Sequence, residues 1–371
     1  MFGTGYMGYM RERRDRRPYR GGFEQVAPVA PPARPGMTYG PWPSPTAPTP
    51  AGIRLRMPPR ERGPGGTSLD VLENRTELPT GPTWRDRLYR LAHLDAILGD
   101  RAGYERGLYD EVRTGLGSAF SIAVLNLKGG VGKTSVVEAL GSTFAEVRDD
   151  RVIAVDADAD AGDLAERHGR KCALSMADLV SANGVTRYED VRAHTFMNGS
   201  GLEVLRLPDY AHSNWRMERQ DFVKTFSILR NHYSVVLVDC PKALRSSVME
   251  AVLPESRALV VVTSTSIDAI HKTRTTLEWL HNNGYQRLVR STVLAVNHVE
   301  PTKLDLVAGK ELEQLAAHVA AAVMVPFDRH VRKGRDIALE RLSKDSRHSY
   351  LEIAAALARM FPSRHEDMTC T

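Results

Sequence analysis

Two lysines, Lys128 and Lys133, stand five positions apart in the stretch LNLKGGVGKTS (125–135), a run otherwise built mostly of glycine and small residues. The stretch continues an apolar β-branched segment, FSIAVLNL (120–127), and leads into a helical one at 133–147. Glycines between a strand and a helix let successive backbone N–H groups turn toward one anion, and the helix N-terminus adds partial positive charge. Gly129, Gly130, Val131, Gly132, Lys133, Thr134 and Ser135 would then frame a phosphate. Lys133 would reach its outer oxygens, and the Thr134 hydroxyl would bind magnesium. The strict spacing GxxxxGK[ST] is not met, because its first glycine would fall at position 127, which is Leu127. One lysine is enough to hold a phosphate, so Lys128 needs a different role.

Acidic residues close two further apolar runs. VIAVDADADAGDL carries Asp156 and Asp158, and YSVVLVDCPKAL carries Asp239. An aspartate after four apolar strand residues, in a chain that already has a phosphate loop, suits a magnesium-bound water. The competing readings are a helix cap for Asp239 and a solvated turn for the 156–160 cluster.

These residues need a scaffold that brings several strand ends together. Apolar runs at 120–127, 151–158, 202–208, 233–240, 258–264 and 291–299 alternate with helical stretches. The helices fall at 133–147, 174–181, 218–231, 245–253, 268–283, 310–321 and 346–361. Near-continuous apolar strands alternating with helices predict an α/β fold, a doubly wound and mostly parallel sheet with helices on both faces. Ahead of it, WRDRLYRLAHLDAILGD (84–100) has one apolar helical face, suited to packing on the next domain or to a membrane surface. A second helical segment follows at about 104–114. The expected organisation is an arm at 1–80, a helical lead-in at 83–116, the α/β domain at 118–361 and a polar tail at 362–371.

Composition separates the arm from the rest. Fifteen of 21 prolines fall between Pro18 and Pro82, and eleven arginines but no lysine lie in residues 1–66. That segment has a charge of about +7, against about −2 for the remainder of the 371-residue chain. It predicts a disordered, semi-extended arm, either a spacer or a docking tether for an acidic or aromatic partner. Cys172, Cys240 and Cys370 form no CxxC pair, which argues against a zinc site or a disulfide framework. No apolar run approaches the ~20 residues of a membrane span. A cytoplasmic protein is expected.

The motif KGGVGKT (128–134) resembles, residue for residue, the deviant Walker A loop of the ParA/MinD family. That resemblance implies an ATPase that binds ATP and Mg²⁺ and forms a homodimer in the ATP state. Lys128 would reach across the interface to the phosphates held by the other subunit, as an arginine finger does. It also implies that Asp158 orients the attacking water, that Asp156 supports magnesium or the loop, and that Asn297 in LAVNHV reads the adenine edge. Pro326 and Asp328 in VPFDRHVRKG would belong to the loop over the base. Where the family often has Pro-Gln after the acidic pair, this chain has Ala159–Asp160. The proline-rich arm and the lead-in also resemble the EspI-like ATPases associated with type VII (ESX) secretion, which implies a secretion partner. The alternative function is a partitioning ATPase that grips DNA non-specifically through RHVRKGRD (329–336) or the arm. A membrane-positioned MinD-like factor or a tyrosine autokinase fits less well, and the absence of paired cysteines argues against an iron–sulfur relative.

Overall fold

The computed structural model describes residues 101–158, 164–168, 174–182, 184–209, 213–301 and 304–362. The expected arm, the amphipathic stretch 84–98, Ala159–Asp160 and residues 363–371 of the expected tail lie outside the described residues. In chain order the elements are α1 (Arg101–Val112), β1 (Phe120–Leu125), α2 (Lys133–Val147), β2 (Val152–Asp156), α3 (Leu164–Arg167), α4 (Met176–Ser181) and α5 (Tyr188–Arg192). There follow β3 (Thr195–Met197), β4 (Glu203–Leu205), α6 (Arg219–Leu229), β5 (Val235–Asp239), α7 (Ser247–Glu255) and β6 (Ala258–Ser264). The last are α8 (Ile267–Asn282), α9 (Gln286–Arg290), β7 (Thr292–Asn297), α10 (Leu306–Ala316), β8 (Ala321–Val325), α11 (Arg329–Arg332) and α12 (Lys344–Ala358).

The strands form one sheet in the order β3-β4-β2-β5-β1-β6-β7-β8. Alternate residues of each central strand face opposite layers, which is why these strands read as unbroken apolar runs. From β1, Phe120, Ile122 and Val124 join a core with Val136, Leu140 and Phe144 of α2 and with Tyr350 and Leu357 of α12. Ala123 and Leu125 join the other core, with Phe222 and Phe226 of α6, Val252 of α7 and Leu280 of α8. Both faces are covered, as expected for a doubly wound sheet.

Two edges depart from the sequence-based expectation. All described strand pairs are parallel except β3 with β4, which runs antiparallel through three residues, too short a run to signal itself. At the other edge, the helix expected at 310–321 ends at Ala316, and AAVMV becomes β8. Alanine favours helix locally, but Ala320 N–H donates to Thr292 O (2.9 Å) and leads the chain into a ladder with β7. Tertiary pairing overrides propensity there.

The lead-in helix packs on the domain rather than standing free. Leu108 and Val112 are buried in the core shared by α2 and α12, which is worth roughly 1.5–3 kcal/mol for each side chain. Buried Arg148 donates to Val112 O (2.5 Å) and Thr114 O (2.9 Å), and its guanidinium stacks over Phe361. Glu111 pairs with Arg359 at 2.8 Å.

The carboxyl ends of β1, β2, β5, β6 and β7 all open on one side of the sheet. β1 lies between β5 and β6, the point from which the chain winds in both directions. Open α/β sheets place their ligands in that crevice.

Candidate nucleotide-binding site

Glycine geometry sets the shape of the loop between β1 and α2. Gly130 (φ 76°) and Gly132 (φ 95°) are left-handed, and Gly132 caps α2, where Val136 N–H donates back to its carbonyl. Two asparagines hold the loop from below. Asn126, fully buried, donates to Val262 O (2.7 Å) and Thr273 Oγ1 (2.8 Å), and its Oδ1 accepts from Lys128 N–H (3.0 Å). Asn297 at the end of β7 donates to Val131 O at 2.8 Å.

A cavity of about 320 Å³ opens over this loop. Of the residues expected to contact nucleotide, Gly130, Gly132, Lys133, Thr134, Ser135, Asp158, Asn297, Pro326 and Asp328 line it. Gly129 lies beside it, under the Lys242 side chain, and Val131 turns its side chain into the core. Lys133 is 7% exposed, so its ammonium belongs to the cavity floor rather than to solvent.

Directly behind the floor are two acids. Asp156 and Asp239 are register partners on adjacent strands, and both are buried. Burial, together with the Asp239 charge beside it, pushes the Asp156 carboxyl well above the ordinary range. Asp239 is also raised, to about 6, by burial, against the pull of a Thr134 hydrogen bond and the Lys133 charge. One of its oxygens, Oδ1, has no hydrogen-bond partner among the described residues. A buried, unsatisfied carboxylate oxygen beside a threonine hydroxyl suits a hard cation that keeps some of its own waters. Among the described residues no group of three or more acids, histidines or cysteines could hold a metal alone. The donor set therefore fits magnesium brought in on phosphate oxygens, with Thr134, Asp239 and Asp156 around it.

The burial of the Asp156 charge, with the repulsion from Asp239 added, has a measurable consequence. A carboxyl whose folded pKa is raised contributes stability that is fully present below its unfolded pKa of about 3.9 and is lost as pH rises through the folded value. Asp156→Asn is thus expected to raise the melting temperature of the nucleotide-free protein at neutral pH by about 2–4 °C, the equivalent of about 1 kcal/mol. Calorimetric melts should show this gain fading toward pH 4.

Asp158 is half-buried at the cavity wall, and its N–H donates to Asp156 Oδ1 at 3.1 Å. Its side chain remains with the cavity, as a water-orienting carboxylate requires. Lys128 does not line its own cavity. It is 42% exposed and pairs with Asp268 Oδ2 at the start of α8, 2.6 Å away.

The base-side assignments change in detail. Asn297 does line the cavity, but at least one of its donors is committed to Val131 O, so it braces the loop as well as facing the ligand. Both carboxylate oxygens of Asp328 are taken by backbone, from His330 N–H (2.8 Å) and Ser343 N–H (2.8 Å). These two bonds hold the loop in shape and leave each oxygen a further lone pair. Cys240 is fully buried and its thiol is pushed up by burial, which makes it an inert core residue.

Three positions escaped sequence reasoning. Asn126 sits inside an apolar run and has no motif. Lys242, after Cys240–Pro241, and Arg167, on α3, both line the cavity. Neither shares a local pattern with the phosphate loop, and only the fold brings them to it.

A family model described as an AAA domain (AAA_31) matches residues 119–288. The chain is 35% identical over 280 residues to the ESX-1 secretion-associated protein EspI of Mycobacterium tuberculosis H37Rv, across 75% of this chain and 42% of that protein. The chain is thus related to EspI over three quarters of its length and matches the AAA-domain model. It spans less than half the length of EspI. Two solved structures share the ParA/MinD-family fold. A ParA family ATPase from Chlorobium tepidum has a TM-score of 0.54 at 15% identity, covering 64% of this chain and 98% of its own. The septum site-determining protein MinD from Pyrococcus horikoshii, solved with Mg-ADP, has a TM-score of 0.50 at 20% identity, covering 64% and 94%. The shared fold thus accounts for the described α/β body, and the AAA-domain match begins at residue 119, after α1.

Proposed function

We propose that this chain binds ATP as its magnesium complex, hydrolyses it, and in the ATP state pairs with a second copy of itself in the cytoplasm to serve a type VII (ESX) secretion machine. The observation that carries the reading is an Asp239 oxygen, unpartnered among the described residues, that lies beside Thr134 and behind the floor of a glycine-framed cavity that also holds Lys133. Magnesium would neutralise charge on the terminal phosphates. The loop amides and Lys133 hold those phosphates in place, and Asp158 orients a water toward the outermost one.

Dimerisation follows from Lys128. Its ammonium faces Asp268 at the protein surface and not its own cavity. Transfer of this ion pair to a triphosphate on a facing copy gives ATP a higher affinity for the dimer than for the monomer, as coupling requires. The relation to EspI supports the secretion assignment.

Light scattering on the full chain tests the switch. ATP with magnesium should double the mass, ADP should leave it monomeric, and Asp158→Ala should hold the ATP dimer for longer. An unchanged mass with ATP would refute the pairing.

The exposed basic residues Arg329, Arg332, Lys333 and Arg335 beside the cavity favour a second reading, phosphate contacts with DNA. ATP-dependent retention on DNA by a chain lacking residues 1–80 would support it.

A further inference from the structure

We propose that Arg167 is a triphosphate-sensing side chain, supplied by the same subunit, whose guanidinium donates to the outermost phosphate of the bound nucleotide. The proposal deepens the nucleotide reading above and rests on it.

Arg167 closes α3, the short helix downstream of the Asp156–Asp158 segment, and its side chain lines the same cavity as Lys133, Thr134 and Asp158. The side chain is only 13% exposed. Its Nε and one terminal nitrogen, Nη1, are buried and have no hydrogen-bond partner among the described residues. Its ion-pair partner among the described residues, Glu138 Oε2, is 3.8 Å from Nη1, too far for a hydrogen bond. Glu138 is itself fully buried and is otherwise engaged, its Oε1 accepting from Ile337 N–H and lying 3.2 Å from His168 Nε2. Glu138 therefore balances the Arg167 charge without satisfying its donors.

A guanidinium has five N–H donors in a rigid fork and no acceptor, and leaving it buried and unpaired is costly. Phosphate oxygens match that fork and can be bound bidentately. The positive charge is already felt at Asp239, where Arg167 is one of the charges that favour the ionised form. Lys133 and Arg167 thus converge on the cavity that Asp239 and Thr134 underlie. The loop amides would hold a diphosphate as readily as a triphosphate, so the cations at the wall are what discriminate between them, and of these Arg167, rather than Lys242 or Arg332, has buried donors without a partner among the described residues. Lys128, engaged with Asp268 outside the cavity, does not supply that charge in the monomer.

The alternative is that Arg167 serves only to neutralise Glu138. The two roles separate in a binding experiment on the full chain with magnesium, using ADP and the slowly hydrolysed analogue ATPγS. Arg167→Gln should lose roughly tenfold or more in ATPγS affinity while ADP affinity changes by less than about threefold, as expected for charge-assisted hydrogen bonds to one phosphate. Arg167→Lys, which keeps a charge without the fork, should recover part of the ATPγS preference. Glu138→Gln combined with Arg167→Gln should restore thermal stability but not the preference. Equal losses for both nucleotides, or an unchanged preference in folded Arg167→Gln, would overturn the proposal. If the wild type takes up neither nucleotide, the ATP reading fails first and the proposal with it.

Discussion

Lys128→Ala is expected to lower ATP turnover by roughly 10³-fold or more, the effect of removing an arginine finger, while ATP affinity changes by about threefold or less. The unequal split is what makes the result informative. A lysine that held its own nucleotide would lose affinity and turnover together. Lys128 lies outside its own cavity, 42% exposed and paired with Asp268, so its removal leaves the phosphate cradle of the same chain intact. Steady-state hydrolysis beside equilibrium binding of ATPγS checks both halves. A parallel fall in affinity would place Lys128 in cis and remove the reason for ATP-driven pairing.

The second large effect is expected at Gly132. Its φ of 95° is a conformation that residues with a side chain rarely adopt, and a Cβ there would stand 2.4 Å from Asn297 Nδ2. Gly132→Ala must therefore strain the loop, at roughly 1–3 kcal/mol, and displace the asparagine that supports Val131 O, a further ~1 kcal/mol. Together these predict a loss of nucleotide affinity on the order of 100-fold. Gly130→Ala is the comparison. Gly130 is also left-handed (φ 76°), but a Cβ there would meet nothing within 4 Å, so only the strain is incurred and the loss should be smaller. Binding titrations of the two variants, with melting curves to show that each is folded, separate loop strain from the Asn297 contact.

The contrast between these positions shows what could be read from the chain alone. α2 is found at the bounds its sequence suggests, 133–147, because glycines stop it at one end and an apolar stripe defines it. The central strands were legible because both their faces are buried, and the acids that close β2 and β5 were legible as breaks in those runs. Edges were not. β3 is three residues long, and the alanines of β8 favour helix until pairing with β7 decides otherwise.

The candidate site divides in the same way. The glycine loop between β1 and α2 is local, so its residues pointed to it. Asn126, Lys242 and Arg167 act through partners far away in sequence, such as Val262 for Asn126 and Glu138 for Arg167, and no period or motif carries that information. Asn297 was identified by position, yet its bond to Val131 O spans 166 residues and belongs to the sheet order rather than to any local signal. Asp328 shows the reverse case. Its place beside the cavity could be anticipated, while the two backbone amides that occupy its carboxylate could not.

The proposed function stands or falls with a magnesium-bound triphosphate resting on the amides between β1 and α2, with Lys133 and Thr134 beneath it. Titration calorimetry of the full chain with ATP, in the presence and absence of magnesium, tests it most directly. Stoichiometric, magnesium-dependent uptake that is lost in Lys133→Ala is the expected result. Absence of uptake by the folded wild type, or uptake that Lys133→Ala leaves unchanged, would contradict it.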